Sequence, residues 1–201
     1  MSLSTRSYHK NSCITFKSTK GTYGALSNMA PGFPLLVNGA SIKTSEALYQ
    51  SLRFPEFPEV QRKIFSYSSP ISAKKYGRSV LDKTRGDWME QRFLIMRFCL
   101  EVKLYQNYQS FSKFLLETGN QPIVEYTNTD KVWGATLEGD YYTGTNALGR
   151  LLMELREKVK TDSFTLSIPE IANLKLLGDI IRLDMIPKKA SSGRLFDSHH
   201  Q

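Results

Sequence analysis

Lys43-Thr44-Ser45-Glu46-Ala47-Leu48-Tyr49-Gln50-Ser51-Leu52-Arg53-Phe54-Pro55 is a short helix with both ends written into it. Thr44 or Ser45 supplies an N-cap oxygen, the next nine residues are mostly good helix formers, and Pro55 pushes Phe54 out of the α region, so the spacing predicts a helix that stops there. At helical spacing Glu46, Tyr49, Gln50 and Arg53 share one face, while Ala47, Leu48 and Phe54 point toward another. A carboxylate, a phenol, an amide and a guanidinium therefore line up beside a packing face. Taken alone, the pattern equally suits a solvated face whose Glu sits well against the helix dipole.

Around that helix the 201-residue chain is long enough for one sizeable core, and 40% hydrophobic with 11% aromatic residues excludes disorder for most of it. The excess of 27 Lys and Arg over 19 Asp and Glu, a net charge of +8, favours a polyanionic or phosphorylated partner. No run of five or six like charges accompanies it, so a merely basic protein stays equally open. Two cysteines, Cys13 and Cys99, lie far apart and imply neither a disulfide framework nor a zinc cluster. No apolar run approaches the ~20 residues of a membrane span, and the polar N-terminus lacks the apolar core of a signal peptide, so a cytoplasmic protein without a membrane partner is expected. The three histidines are His9, His199 and His200, all near the ends. A histidine-based triad or metal site is thereby disfavoured, and acid-base chemistry falls to carboxylates, lysines or tyrosines.

Upstream of the central stretch, residues 1–12 read as a flexible polar tail and Cys13 to Phe16 as an edge strand. Gly21 to Gly32 is a turn-rich loop with apolar anchors Tyr23, Leu26 and Met29, and Asn38-Gly39 between apolar runs predicts a hairpin. Downstream, Glu59 to Phe65 and Ile71 to Tyr76 are short helices, the latter opened by Ser69-Pro70 and carrying Lys74 and Lys75. Asp87 to Glu90 has capping-box spacing and starts a helix to about Asn107 with almost no polar face, the mark of a buried central element. A helix around Phe111 to Leu115 is stopped by Gly119. A strand-like Pro122 to Tyr126 then leads into Asp130-Lys131-Val132-Trp133-Gly134, where a carboxylate and an aromatic platform sit beside a glycine. Asn146 is expected to cap the last strong helix, whose Leu148, Leu151, Leu152, Leu155 and Val159 repeat at helical spacing. Phe164 to Ile168 alternates like a strand, and Ile171 to Leu183 contains a short apolar run. The fold class expected is mainly α, a single helical domain over residues 13–160 with a few short β-strands or hairpins. A C-terminal extension over 161–186 packs on it, and 187–201 form a second flexible tail.

Six ordered signatures resemble the NADAR family, whose fold is also called YbiA-like. They are Tyr23-Gly24-Ala25-Leu26-Ser27-Asn28-Met29, Thr44-Ser45-Glu46-Ala47-Leu48-Tyr49-Gln50, Ser69-Pro70-Ile71-Ser72-Ala73-Lys74, Asp87-Trp88, Asp130-Lys131-Val132-Trp133-Gly134, and Asn146-Ala147-Leu148-Gly149-Arg150-Leu151-Leu152-Met153. The resemblance implies an N-glycosidase that separates ribose C1 from an amine nitrogen, with no cofactor and no metal. Glu46 would be catalytic, with Asp130 assisting and Lys74 as the candidate amine. Tyr23, Ser27, Asn28, Tyr49, Gln50, Trp133, Gly134 and Asn146 would line the substrate site. Arg53 stands where many members carry lysine, and Glu-Ala-Leu-Tyr-Gln followed by Arg-Phe looks like the branch that removes ADP-ribose from the amino group of guanine in DNA. The partners so implied are ADP-ribosylated guanine in DNA, or an ADP-ribose-like ligand, and a DNA ADP-ribosyltransferase toxin. Two alternatives remain beside it: an N-glycosidase of ribosylamino-pyrimidine intermediates of riboflavin synthesis, and a module that binds ADP-ribose or nucleic acid without cleaving it.

Overall fold

In the computed structural model, which describes residues 4–188, the first element is strand β1 (Arg6–His9). This corrects the reading of residues 1–12 as a flexible tail. Arg-Ser-Tyr-His has one apolar side chain, Tyr8, and it turns inward onto Val124 and Ala135, contacts far away in sequence that no local pattern signals. Strand β2 (Ile14–Phe16) follows, then the Gly24–Leu26 3-10 turn and the hairpin β3 (Leu35–Val37) and β4 (Ala40–Ile42). Val37 pairs with Ala40 across a two-residue loop whose Asn38 and Gly39 both have positive φ, 48° and 74°, the backbone that an Asn-Gly turn supplies.

The hairpin delivers the chain to α1 (Ser45–Ser51), where the Thr44 side chain accepts a hydrogen bond from the Ala47 amide at 3.2 Å. Every residue of α1 is buried, so the polar face is no solvated face. Leu48 and Leu52 are fully enclosed, each contributing roughly 1.5–3 kcal/mol of hydrophobic burial. Helices α2 (Pro58–Ser66) and α3 (Pro70–Ser79) each begin on a proline, whose missing N–H is harmless in a first turn, and both pack against α1.

Helix α4 (Trp88–Gln106) is the central element, with Ile95, Met96, Phe98, Cys99, Leu100, Val102 and Leu104 buried against α1, α5 (Tyr108–Glu117) and α6 (Ala147–Lys160). Its predicted capping box does not form. Asp87 instead pairs with Arg85, whose guanidinium holds the carboxyl below the usual carboxylate range.

Between α5 and α6 lie β5 (Ile123–Glu125), β6 (Thr136–Glu138) and β7 (Tyr141–Gly144). Strand β5 pairs in parallel with β2, setting Glu125 opposite Phe16, while β1, β7 and β6 form an antiparallel sheet in that order. Helices dominate, with several small sheets in one domain, as the mainly α reading anticipates.

In the extension, Phe164 to Ile168 joins no ladder, because its middle residue Leu166 is drawn into the core rather than toward a partner strand. A small hairpin, β8 (Lys175–Leu176) and β9 (Asp179–Ile180), follows. Leu174, Leu176, Ile181 and Ile186 add to the core, and Gln61, fully buried on α2, donates to Lys175 O at 3.1 Å and accepts from Leu177 N at 2.6 Å. Residues 189–201, within the expected second tail, lie outside the described residues. No helix among the described residues is long and apolar enough to cross a membrane.

Candidate active site

Glu46 is 2% exposed, yet it lines a cleft of about 1390 Å³. A carboxylate so enclosed requires donors, and each of its oxygens has one. Gln50, one helical turn on, donates from Nε2 to Oε1 at 2.8 Å, and Asn28 donates from Nδ2 to Oε2. Two amide N–H groups facing the two oxygens fix the plane of the carboxylate. Lys74 Nζ, reaching in from α3, stands 4.0 Å from Oε1.

Asn28 is itself anchored twice. Its carbonyl oxygen accepts from both the Ser45 hydroxyl and the Glu46 amide at 2.9 Å, tying the loop after Gly24–Leu26 to the start of α1. Beneath that loop lies Lys103 on α4, 1% exposed, whose ammonium donates to Ala25 O at 2.7 Å and Ser27 O at 3.1 Å. It also lies over the rings of Phe33 and Phe111, 4.5 and 4.1 Å from their centroids. Burial pushes this amine down to about 7. A lysine within an apolar helix pattern was the available signal for this anchor, and sequence reasoning passed over it.

One wall of the cleft is aromatic. Tyr49 lies between Trp88, 5.0 Å away, and Trp133, 5.6 Å away, and Phe93 closes on Trp133 at 5.1 Å. Burial, with Glu46 adding to it, raises the Tyr49 phenol above its ordinary value, so it stays protonated. Arg53 places its guanidinium 5.0 Å over Trp88. Around the cleft stand Lys17, Lys43, Arg53, Lys74, Arg78 and Arg92, against three carboxylates, Glu46, Glu125 and Asp130. That imbalance favours a ligand with negative charge.

Of the residues expected at the site, Glu46, Asp130, Lys74, Ser27, Asn28, Tyr49, Gln50 and Trp133 line the cleft. Asp130 spends Oδ1 on the Val132 and Trp133 amides, both at 2.9 Å, so it shapes the turn that carries Trp133. Tyr23, Gly134 and Asn146 are not on the lining. Tyr23 packs half-buried against the core, before the 3-10 turn. Gly134 lies so close to the backbone of Glu125 that a Cβ would overlap its carbonyl oxygen. Asn146 is fully buried at φ 50°, in the left-handed region, and does not cap α6 with its side chain. It instead accepts from Glu125 N at 3.0 Å and donates to Ile123 O at 2.8 Å, completing the free edge of β5. The local cap signal lost to a long-range ladder.

Glu125, which β5 and Asn146 hold in place, lines the same cleft and was not singled out from the sequence. The signal was there: an acidic residue ending the apolar run Ile123-Val124. Burial pushes its carboxyl up to about 7; Lys74 opposes the rise, while Asp130 and Glu46 add to it. Among the described residues no group of three or more His, Cys, Asp or Glu side chains is placed to hold a metal ion.

Comparison with known proteins accords with this geometry. The family profile described as the NADAR domain matches residues 15–160. N-glycosidase YbiA of Escherichia coli strain K12 is 34% identical over 150 residues, covering 75% of this chain and 90% of that protein. Riboflavin biosynthesis protein VVA0006 of Vibrio vulnificus is 31% identical over 147 residues, which is 73% of this chain and 38% of that longer protein. The NMR structure of E. coli YbiA superposes with a TM-score of 0.65 at 31% identity, covering 82% of this chain and 94% of that one.

Proposed function

From the premise that this chain belongs to the NADAR domain family, we propose that it is an N-glycosidase whose substrate is ADP-ribose joined to the amino group of guanine in DNA. N-glycosidase stands in the names of several relatives and riboflavin biosynthesis in those of others, and the finer substrate is our reading. The observation that carries it is the buried Glu46 carboxylate at a cleft of about 1390 Å³ with six Lys and Arg on its lining. Pockets for single small ligands run to about 300–1,000 Å³. The surplus leaves room for a second nucleoside beyond a diphosphate, and the cations suit both the diphosphate and a DNA strand.

Cleavage of the C1–N bond builds positive charge on the ribose. Glu46, oriented by Asn28 and Gln50, would stabilise that charge, a role whose removal costs several kcal/mol of barrier, about 2.7–4 for one well-placed electrostatic partner. The aromatic wall offers stacking faces to the base, and Trp133 is held by Asp130 to present one of them. A second route begins from Lys74, whose amine lies 4.0 Å from Glu46 and could attack the opened sugar to give a Schiff base.

Parallel incubation with ADP-ribosylated guanine DNA and with a ribosylamino-pyrimidine phosphate tests the reading. Free ADP-ribose from the first substrate is expected, and a Glu46→Gln variant should bind without turning over. Cleavage of the pyrimidine substrate alone would move the enzyme to riboflavin intermediates, and binding without release would make it a recognition module. Borohydride added during turnover separates the routes: a trapped sugar adduct supports Lys74 as nucleophile, and full rate in Lys74→Ala removes it.

A further inference from the structure

We propose that Glu125 is the general acid of this N-glycosidase, protonating the departing amine nitrogen while Glu46 stabilises the ribose. The assignment rests on the N-glycosidase reading and deepens it. Two of the three carboxylates on the cleft, Glu46 and Glu125, stand in contrasting surroundings. Glu46 meets an amide N–H at each oxygen and a lysine at 4.0 Å, the setting of an anion. Among the described residues no side chain hydrogen-bonds the Glu125 carboxyl, although Glu125 is half-buried. The groups facing it are Lys74 from α3, Glu46 from α1 and Asp130 from the loop before β6. A half-buried carboxyl without side-chain donors, beside two other carboxylates, favours its neutral form, and paired groups held in opposite protonation states are how one site supplies both an acid and a charge stabiliser.

The backbone adds the positioning. Glu125 N is bonded to Asn146 Oδ1, its carbonyl accepts from Ala135 N at 2.9 Å, and β2 pairs along its strand, so the carboxyl is presented from a segment fixed on both edges. Asp130, the other acidic residue on the lining, has one oxygen committed to two backbone amides and is a poorer donor.

In the step, the C1–N bond breaks with its electron pair moving to nitrogen, and the Glu125 proton passes to that nitrogen, releasing a neutral amine. Glu46 balances the ribosyl cation until water adds to C1. The proton shed by that water returns to the Glu125 carboxylate, leaving the enzyme as it began.

The experiment is a pH profile of kcat/KM on ADP-ribosylated guanine DNA for wild type, Glu125→Gln and Glu125→Asp, with ADP-ribose affinity measured by calorimetry. Gln copies the shape of the protonated acid, so the fold should hold. Wild type is expected to lose rate as pH rises through the neighbourhood of 7. Glu125→Gln should lose about 10²- to 10⁴-fold in kcat with ADP-ribose binding within threefold, and its basic limb should vanish. Glu125→Asp should recover part of the rate and restore a limb. A wild-type rate flat from pH 6 to 9 overturns the acid role without recourse to any variant, as does a Glu125→Gln enzyme with rate within threefold of wild type or with the limb intact. Wild type that cleaves no ribosylamine at all overturns the N-glycosidase reading itself, a result distinct from an active enzyme indifferent to Glu125.

Discussion

Replacing Asn146 by alanine removes more than a side chain at a helix start. The amide accepts from Glu125 N at 3.0 Å, a part-buried bond, and donates to Ile123 O at 2.8 Å, a buried one. Each buried backbone group left unpaired costs about 1–3 kcal/mol. The position has φ 50°, and forcing alanine into the left-handed region, which asparagine tolerates better, adds about 1 kcal/mol. The terms are not strictly additive, and a total of roughly 4 kcal/mol is expected, a large part of the ~5–15 kcal/mol that holds a domain together. Urea unfolding followed by circular dichroism should show a lower midpoint at unchanged slope, and the melting temperature should fall by about 8–16 °C for a chain of this size. Because the lost bonds hold the strand that presents Glu125, the folded fraction should also turn over more slowly. An Asn146→Ala protein within about 1 kcal/mol of wild type would refute the claim that this amide fastens β5.

Gly149→Ala probes the same junction from α6, since a Cβ there would overlap Ile123 O and both polar atoms of the Asn146 side chain. Overpacking of about 1–3 kcal/mol is expected, read from the same urea midpoint, and a neutral result would mean that the helix can slide off β5. Lys103 makes a pH prediction whose sign follows from its depressed folded pKa. The unfolded amine is protonated up to about 10.5 and the folded one only to about 7, so between these values the unfolded chain binds more protons and stability rises with pH. The stability of wild type minus that of Lys103→Met should therefore climb by about 1.4 kcal/mol per pH unit or less from pH 7 to 9, a comparison in which the common contribution of Cys99 cancels. A difference independent of pH would show that Lys103 stays protonated in the fold.

Much of the helical frame could be read locally. The Thr44 cap, the proline starts of α2 and α3, the unbroken apolar run of α4 and the Asn38-Gly39 turn all act within a few residues, and each formed where its signal stood. What escaped depended on distant partners. Strand β1 exists because β7 waits more than a hundred residues later, and Asn146 abandons its cap for two backbone groups on β5. The site divides along the same line. Motif residues such as Glu46, Gln50 and Trp133 reach the cleft, whereas the acidic end of the apolar run at Glu125 and the basic rim gain their meaning only after β2 and β5 pair and α3 folds over α1. Even the polar face of α1 needed the fold to be understood, since periodicity cannot tell a solvated stripe from one sealed into a pocket.

The stretch beyond residue 160 lies outside the matched family segment and none of its described residues lines the cleft, yet Leu166, Ile171, Leu174, Leu176, Ile181 and Ile186 are interior and Gln61 fastens the β8–β9 hairpin to α2. Trimming the gene to the matched segment would uncover this apolar surface, so a shortened version should be recovered from inclusion bodies rather than from clarified extract. Damage scored along this stretch in a mutational screen would report protein abundance rather than lost chemistry.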